Sequence, residues 1–419
     1  MAKHVIVGNS AAGTAAAERI RRLDREAAIT IVSDEPALCY SRCLTPEFVA
    51  GELSFHEMAY RSDDFYRQCR IGLLANTRAV ALDPTRKRLT LAGGQELTYD
   101  KLLLATGARP APLAVEGADR PGVLTLHGYA DAECLVTLAD AIDTVLIIGT
   151  GLVGLRAAEA LRKRGIPKVV VIARRHRVLP RNLDADGASI VQQALEKMGV
   201  EFIFGVQPLA FRPARGKEDS QALTVVLSDG RDLQVDLVLS CGGTVPNAEL
   251  LQEADGAVRQ GIVVTPDMRT SLPDVYAAGD VIEIKDAVTG EWRRSGLWPL
   301  AVEAGHVAGA NMAGHQETYD EAVTQQNATE LGGVPIVSVG IAEEPGEGYR
   351  VVSHIDSRQQ QYRRFVFQGD RLVGVVLVGD IAKAGLYQGL IKSRANAWPF
   401  AEKLLEGTFS YADVMAHSN

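Results

Sequence analysis

Two glycine patterns carry the first chemistry legible in this chain. Gly8-Asn9-Ser10-Ala11-Ala12-Gly13 and Gly149-Thr150-Gly151-Leu152-Val153-Gly154 both have the spacing of a turn that aims backbone N–H groups at a pyrophosphate. Small residues are needed there because the phosphates approach the backbone itself, and the dipole of the following helix favours their charge. The two patterns end differently. Glu35 stands about 20 residues after the first, where a carboxylate accepts hydrogen bonds from a ribose diol. The second arrives instead at Ala173, followed by Arg174-Arg175-His176-Arg177. A carboxylate would repel a 2′-phosphate, whereas guanidinium groups pair with phosphate through two hydrogen bonds. The second pattern therefore points to NADPH over NADH. Arg174 and Arg175 are the first candidates for the phosphate, with Arg181 a third. Each pattern has a plainer reading as well: a structural tight turn for the first and a solvated basic loop for the second.

Such turns work only between a strand and a helix. Lys3 to Val7 reads as a strand, Ala11 to Leu23 as a helix and Ala28 to Val32 as the next strand. The same order recurs about 140 residues on, in Thr144 to Ile148, Val153 to Arg164 and Lys168 to Ile172. Two further strands, Lys101 to Ala105 and Asp236 to Ser240, end in loops expected to cover a nucleotide, Thr106-Gly107 and Gly242-Gly243. Val275 to Ala278 leads into Gly279-Asp280, and the polar stretch Arg212 to Gln221 suggests an exposed hairpin tip. From about Tyr319 the character changes. Val334 to Val339, Gln361 to Phe367 and Arg371 to Val378 read as strands, with helices at Ile381 to Ser393 and Phe400 to Glu406. The fold class is α/β: two Rossmann-like nucleotide-binding domains plus a C-terminal α+β domain. The expected boundaries are 1–112 with 243–318 for the first nucleotide domain, 113–242 for the second, and 319–419 for the last.

The chain has 419 residues, 47% of them hydrophobic and 23% charged, which is ordinary for a globular protein with ample core. A net charge of -8 argues against nucleic acid as a partner. No apolar run reaches the ~18 residues of a membrane span. The chain enters its first strand at once, which reads as a cytoplasmic protein. Five cysteines without a Cys-x-x-Cys pair offer neither a disulfide framework nor a metal cage.

The stretch Thr270-Ser271-Leu272-Pro273-Asp274-Val275-Tyr276-Ala277-Ala278-Gly279-Asp280 resembles the second flavin signature of the FAD-dependent pyridine nucleotide–disulfide oxidoreductase superfamily. Leu104-Ala105-Thr106-Gly107-Ala108-Arg109-Pro110 resembles that family's crossover loop. The resemblance covers essentially the whole chain and implies a three-layer, glutathione reductase-like arrangement with FAD as prosthetic group. It implies a flavin site of Gly8, Ser10, Ala11, Ala12, Gly13, Glu35, Arg42, Ala105, Thr106, Gly107, Gly279 and Asp280, with Asp280 on the ribityl chain. Gly149, Gly151, Leu152, Val153 and Gly154 would hold the nicotinamide nucleotide. Trp298 lies in the stretch Ser295 to Ala301 that opens a helix, Val302 to Ala313, whose N-terminus family members place against the flavin pyrimidine.

The segment Glu35 to Glu52 resembles the flavin subunit of assimilatory nitrite reductases and NADH:rubredoxin reductases, with Arg42 approaching the adenosine or pyrophosphate. Cys43 is placed like the single redox cysteine of NADH oxidases, NADH peroxidases and coenzyme A-disulfide reductases. A thiol there could form a sulfenic acid or a mixed disulfide, and a Cys39–Cys43 pair is conceivable. A packing cysteine is the plainer reading, because Arg42 and Leu44 replace the residues that flank the redox thiol in those relatives. Many relatives carry a lysine and a glutamate where this chain has Glu47 and Arg156, so both signs are reversed. A reversed pair preserves a partly buried ion pair, and contact within ~6 Å near the nicotinamide is expected.

The stretch Tyr362-Arg363-Arg364-Phe365-Val366-Phe367, then Gly369 to Asp380, resembles the C-terminal domain of rubredoxin reductase and nitrite reductase flavoproteins. No Fe–S, sirohaem or rubredoxin module is encoded, so electrons are expected to leave to a separate small redox protein such as rubredoxin. Arg293, Arg294, Arg363 and Arg364 are candidates for docking an acidic carrier. Two alternatives stand beside this reading: an oxidase, peroxidase or disulfide reductase acting on a small molecule through Cys43, and a non-catalytic flavin redox sensor or complex subunit. Homodimerisation is left open.

Overall fold

Lys3–Val7 is buried at its last four positions, as a parallel strand covered on both faces must be. It is the centre of a five-stranded parallel sheet ordered Val275–Ala277, Lys101–Leu104, Lys3–Val7, Ala28–Val32, Ile71–Leu74. Thr144–Ile148 is the centre of a second parallel sheet ordered Val123–Thr125, Leu237–Ser240, Thr144–Ile148, Lys168–Ala173, Val200–Phe204. Four strands are arranged alike, Lys101–Leu104, Lys3–Val7, Ala28–Val32, Ile71–Leu74 in one sheet and Leu237–Ser240, Thr144–Ile148, Lys168–Ala173, Val200–Phe204 in the other, but the outermost strand differs: Val275–Ala277 comes last in sequence in the first sheet, whereas Val123–Thr125 comes first in the second. In both, a three-stranded antiparallel excursion precedes the strand that returns beside the central one: Ala79–Asp83, Arg88–Leu91 and Glu96–Thr98 in one, Pro208–Pro213, Leu223–Leu227 and Asp232–Val235 in the other. The duplication seen in the glycine patterns thus extends over four strands and the excursion between them.

The computed structural model describes residues 1–36, 39–214, 221–294, 296–319, 324–343 and 345–413. These fall into two units. The first comprises Met1–Thr45, Leu53–Arg109 and Thr244–Glu321, and the second Pro46–Glu52, Pro110–Gly243 and Ala322–Asn419. The polar tip expected between Arg212 and Gln221 falls mostly on 215–220, outside the described residues, as does Ser295.

In the first unit, the Ala11–Leu23 helix packs along Trp298–Met312, with Gly305 and Gly309 against Ala12 and Ala16. A Cβ on Gly305 would lie 2.3 Å from the Ala12 carbonyl oxygen, and one on Gly309 2.6 Å from that of Ala16. This contact sets the distance between the two helices. The second helix starts at Trp298, four residues before the expected Val302, with Pro299 in its first turn where a missing N–H costs nothing.

The second unit adds a five-stranded antiparallel sheet ordered Gln326–Leu331, Val334–Gly340, Arg371–Val378, Gln361–Gln368, Tyr349–Asp356, with helices Ala384–Ser393 and Ala401–Glu406. Its outer strands, Gln326–Leu331 and Tyr349–Asp356, are missed by sequence pattern. Both are edge strands: Gln326–Leu331 is mostly polar, and Tyr349–Asp356 is mostly exposed with its apolar residues out of alternation, so neither shows an apolar period. One core joins this sheet to the nucleotide-binding sheet: Leu155, Val171, Leu195, Ile336 and Val376 belong to it, and so does Val49 from the short insert 46–52. Among the described residues no helix is long and apolar enough to cross a membrane.

The helix contact in the first unit is testable. Gly305→Val forces side-chain atoms into the Ala12 backbone and is expected to cost about 1–3 kcal/mol, read as a lower urea midpoint together with weaker flavin retention. Gly385→Ala, at a helical position with no atom within 4 Å of the added Cβ, is expected to be neutral or slightly stabilising in the same assay.

Candidate nucleotide-binding sites

In the first unit the turn is defined by a crossing of backbones. Gly8 has φ +120, and a Cβ there would lie 2.1 Å from the Ala105 carbonyl oxygen. Its N–H donates to the Val32 carbonyl at 2.8 Å, while Ala105 N–H donates to Val7. Three strand ends therefore converge beside the start of the Ala11–Leu23 helix. Ser10 is the N-cap, but its side chain makes no capping hydrogen bond, which leaves the first-turn amides of Ala11, Ala12 and Gly13 open to an anion. Thr106 and Asn247 close the far side reciprocally: the Thr106 hydroxyl donates to the Asn247 carbonyl at 2.7 Å, and Asn247 Nδ2 donates to the Thr106 carbonyl at 2.9 Å.

Two acids flank this turn. Glu35 receives Arg42 at 3.0 Å and the Tyr40 hydroxyl at 3.2 Å, so its carboxylate is already oriented. Asp280 follows Gly279 at the end of Val275–Ala277, and its carboxylate makes no hydrogen bond among the described residues. Burial pushes its pKa up from the ordinary 3.8 to about 6, with Arg42 pulling it back. A half-buried carboxylate without donors suits a polyhydroxyl chain, whose O–H groups would supply them. Open amides, an oriented acid and a donor-less acid together fit FAD. Trp298 packs edge-on to Tyr60 with ring centroids 4.9 Å apart, and Arg61 stacks over Tyr60 at 4.0 Å while pairing with Glu18 at 2.8 Å. Cys39 is buried against Thr14, and desolvation raises its thiol to about 11, which argues against a reactive Cys39–Cys43 pair. Cys43 is exposed in the single turn Arg42–Leu44 and forms no disulfide.

The second unit repeats the crossing. Gly149 has φ +117, a Cβ there would lie 2.7 Å from the Cys241 carbonyl oxygen, and its N–H donates to Ile172 at 2.9 Å. Nothing lies within 4 Å of a Cβ on Gly151, so the turn is open where a pyrophosphate would approach. Val153, in the first turn of Leu152–Lys163, leaves 53% of its apolar surface exposed beside that opening. Leu152 packs partly against the core.

The arginine loop is stitched to this turn through Thr150, a position the motif leaves unspecified. Leu179 N–H donates to the Thr150 carbonyl at 2.9 Å, and the Thr150 hydroxyl donates to the Arg177 carbonyl at 3.2 Å. Arg174, Arg175 and Arg181 are exposed. Arg175 lies 3.8 Å from Glu343, whereas Arg174 and Arg181 form no ion pair among the described residues.

Glu47 and Arg156 form an ion pair within this unit. Arg156 also pairs with Glu159 at 2.9 Å and donates to the Glu330 carbonyl at 3.2 Å. Glu159 is buried, a condition a carboxylate tolerates only with partners. Lys163 lies 3.7 Å from it and 3.0 Å from Glu52, completing a chain of alternating charge that fastens 46–52 onto the helix. Of the three candidate catalytic residues, Glu47 and Arg156 are thus in contact, and Cys43 stands in the first unit.

The proposed docking arginines need correction. Arg364 is 1% exposed, with its guanidinium 3.5 Å from Asp184 and donating to the Ala342 carbonyl at 2.8 Å. Arg363 pairs with Asp380 at 2.5 Å. As neighbours on one strand they point to opposite faces: Arg364 is buried, and Arg363 is half-buried, donating to the Leu405 carbonyl at 3.2 Å beside Asp380, so both charges are already engaged. Arg293 pairs with Asp286 at 3.3 Å and Arg294 donates to the Thr244 carbonyl.

Residues 2–305 match the family described as pyridine nucleotide-disulphide oxidoreductase, and 330–395 match the rubredoxin NAD+ reductase C-terminal domain. An NADH oxidase of Methanocaldococcus jannaschii is 33% identical over 80% of this chain and 76% of its own length. The assimilatory nitrate reductase electron transfer subunit of Bacillus subtilis is 30% identical over 93% of this chain, which spans only 49% of that protein. Among solved structures, the covalent putidaredoxin reductase–putidaredoxin complex superposes with a TM-score of 0.89 at 28% identity, covering 99% of this chain and 98% of that one.

The pH dependence of Asp280 provides a test. Its folded pKa lies above the unfolded one, so the folded state holds the extra proton between about 4 and 6. That contribution to stability is present below pH 4 and is lost as pH rises through 6. In flavin-free protein, Asp280→Asn should raise the melting temperature at pH 7, and the gap to the unsubstituted protein should close by pH 4.5. A gap independent of pH would refute the assignment.

Proposed function

The chain belongs to the pyridine nucleotide–disulphide oxidoreductase family, and we propose that it is an FAD enzyme oxidising NADPH and delivering the electrons to a separate small redox protein. The observation that carries this reading is the inequality of two otherwise duplicated turns: acids at the first, unpaired arginine at the second. FAD, when bound, supplies the redox chemistry, accepting hydride from a reduced nicotinamide and passing electrons on. The chain's own residues do the rest. First-turn amides beyond Gly8 hold the pyrophosphate, Glu35 takes the ribose hydroxyls, and Asp280 takes the ribityl hydroxyls. Arg42 keeps a positive charge beside both acids, which allows two carboxylates to share one ligand-binding region.

At the second turn, Gly151 admits the pyrophosphate of the donor and Val153 covers it. Ala173 leaves out the carboxylate that would repel a 2′-phosphate, and Arg174 is exposed with no ion pair to break before it binds one. Arg156 and Glu47 neutralise one another, so the charged surface behind the donor is kept without net charge. The relatives named above for NADH do not carry this preference; it rests on Ala173 and the arginines.

A small redox protein as acceptor is supported by the match of 330–395 to the rubredoxin reductase C-terminal domain and by the superposition on a reductase with putidaredoxin in its complex. A second reading, direct reduction of a small molecule through Cys43, is favoured by the exposure of that thiol, which leaves it accessible to a small oxidant.

Two measurements test these claims. kcat/KM should be at least tenfold higher for NADPH than for NADH. The double substitution R174A/R175A should lower the NADPH value roughly thirty-fold, equivalent to about 2 kcal/mol of charge-assisted hydrogen bonding, with NADH unaffected. A preference for NADH would overturn the donor assignment. Separately, Cys43→Ser should leave rubredoxin or ferredoxin reduction within twofold of the unsubstituted protein; loss of turnover would hand the mechanism to the thiol.

A further inference from the structure

The loop carrying the arginines is tied at three points to the C-terminal sheet, all within the second unit. Asp184 caps the Ala185–Lys197 helix by accepting from Gly187 N–H at 3.2 Å, and the same carboxylate accepts from the Tyr362 hydroxyl. Asn182 Nδ2 donates to the Ser338 hydroxyl at 3.3 Å. Arg175 lies 3.8 Å from Glu343. The buried Arg364 spans two of these points. Its guanidinium is 3.5 Å from Asp184 and donates to the carbonyls of Ala342 and Glu343 at 2.8 and 3.5 Å. One fully buried side chain therefore fixes both the end of the arginine loop and the backbone that carries the Glu343 carboxylate. The backbone of Glu343 is thus anchored by the core, although its carboxylate and Arg175 are themselves exposed.

We propose that Glu343 is a specificity-determining residue for the donor. It supplies the counter-charge to Arg175, competes with a 2′-phosphate for that guanidinium, and so limits how strongly the enzyme prefers NADPH. This rests on the NADPH reading above. Arg174, without such a partner, carries the larger share of phosphate recognition, and Arg175 is attenuated. A phosphate bound between them would face a carboxylate held close by, a like-charge contact that costs affinity and weakens with salt. NADH, which brings no 2′-phosphate, is indifferent to it. The C-terminal domain thereby tunes a nucleotide site to which its family match assigns it no part.

The test uses the FAD-loaded full chain and two probes, 2′,5′-ADP and 5′-AMP, titrated calorimetrically. Glu343→Gln should bind 2′,5′-ADP about two- to five-fold more tightly at low salt, the range of an exposed charge pair, with 5′-AMP unchanged. The gain should vanish near 0.5 M salt, where screening reaches within a few ångströms, and in an R175A background, where the competition no longer exists. A gain of affinity is not the signature of structural damage, so misfolding cannot imitate it. If the unsubstituted protein prefers 2′,5′-ADP and E343Q alters neither probe, or alters both alike, the role of Glu343 is overturned. If the unsubstituted protein binds both probes equally, the NADPH reading itself falls, and this inference with it.

Discussion

Each nucleotide turn depends on a place where two backbones cross with no room for a side chain. Gly8 over Ala105 and Gly149 over Cys241 are the same crossing built twice, with φ near +120 and a Cβ position closer to a carbonyl oxygen than van der Waals contact allows. Only glycine satisfies both demands at once. Because the crossing is fixed, the helix that follows starts where its open amides must be. The rest of each sheet can then vary in sequence while keeping the order of four of its strands, as the two units show.

On that duplicated frame the chain builds opposite electrostatics. The first turn is flanked by Glu35 and Asp280 with Arg42 beside both. The second is followed by an exposed arginine loop stitched to Thr150. On the reading proposed above, one scaffold serves hydroxyl-rich and phosphate-rich ends of different nucleotides, because specificity resides in side chains at strand ends and not in the strands.

A second organising feature is the insert 46–52. It leaves the first unit after Thr45, buries Val49 in the core of the second, and is held there by Glu47, Arg156, Glu159, Lys163 and Glu52. Charges alternate along the helix so that the buried Glu159 is never without a cation. Arg156 lies between Glu47 and Glu159, and Lys163 between Glu159 and Glu52, so each cation serves two carboxylates.

The glycine spacings, the acid at 35, the missing acid at 173 and the arginines beyond it were legible in the sequence alone, because local backbone geometry and charge depend on residue type and short spacing. So were the central strands, whose apolar runs admit no other placement. Edge strands such as Tyr349–Asp356 were not, since a strand exposed on both faces has no hydrophobic period. Arg364 read as surface charge and proved to be buried, because the register of a sheet, not the residue type, decides which face a side chain takes, while its neighbour Arg363 on the opposite face is engaged by Asp380. Thr150, Asn247 and the Asp184–Tyr362–Arg364 cluster are joined by long-range contacts that no spacing predicts. Tertiary structure alone decided which distant groups share a hydrogen bond or a counter-charge, for those depend on where the folded chain returns.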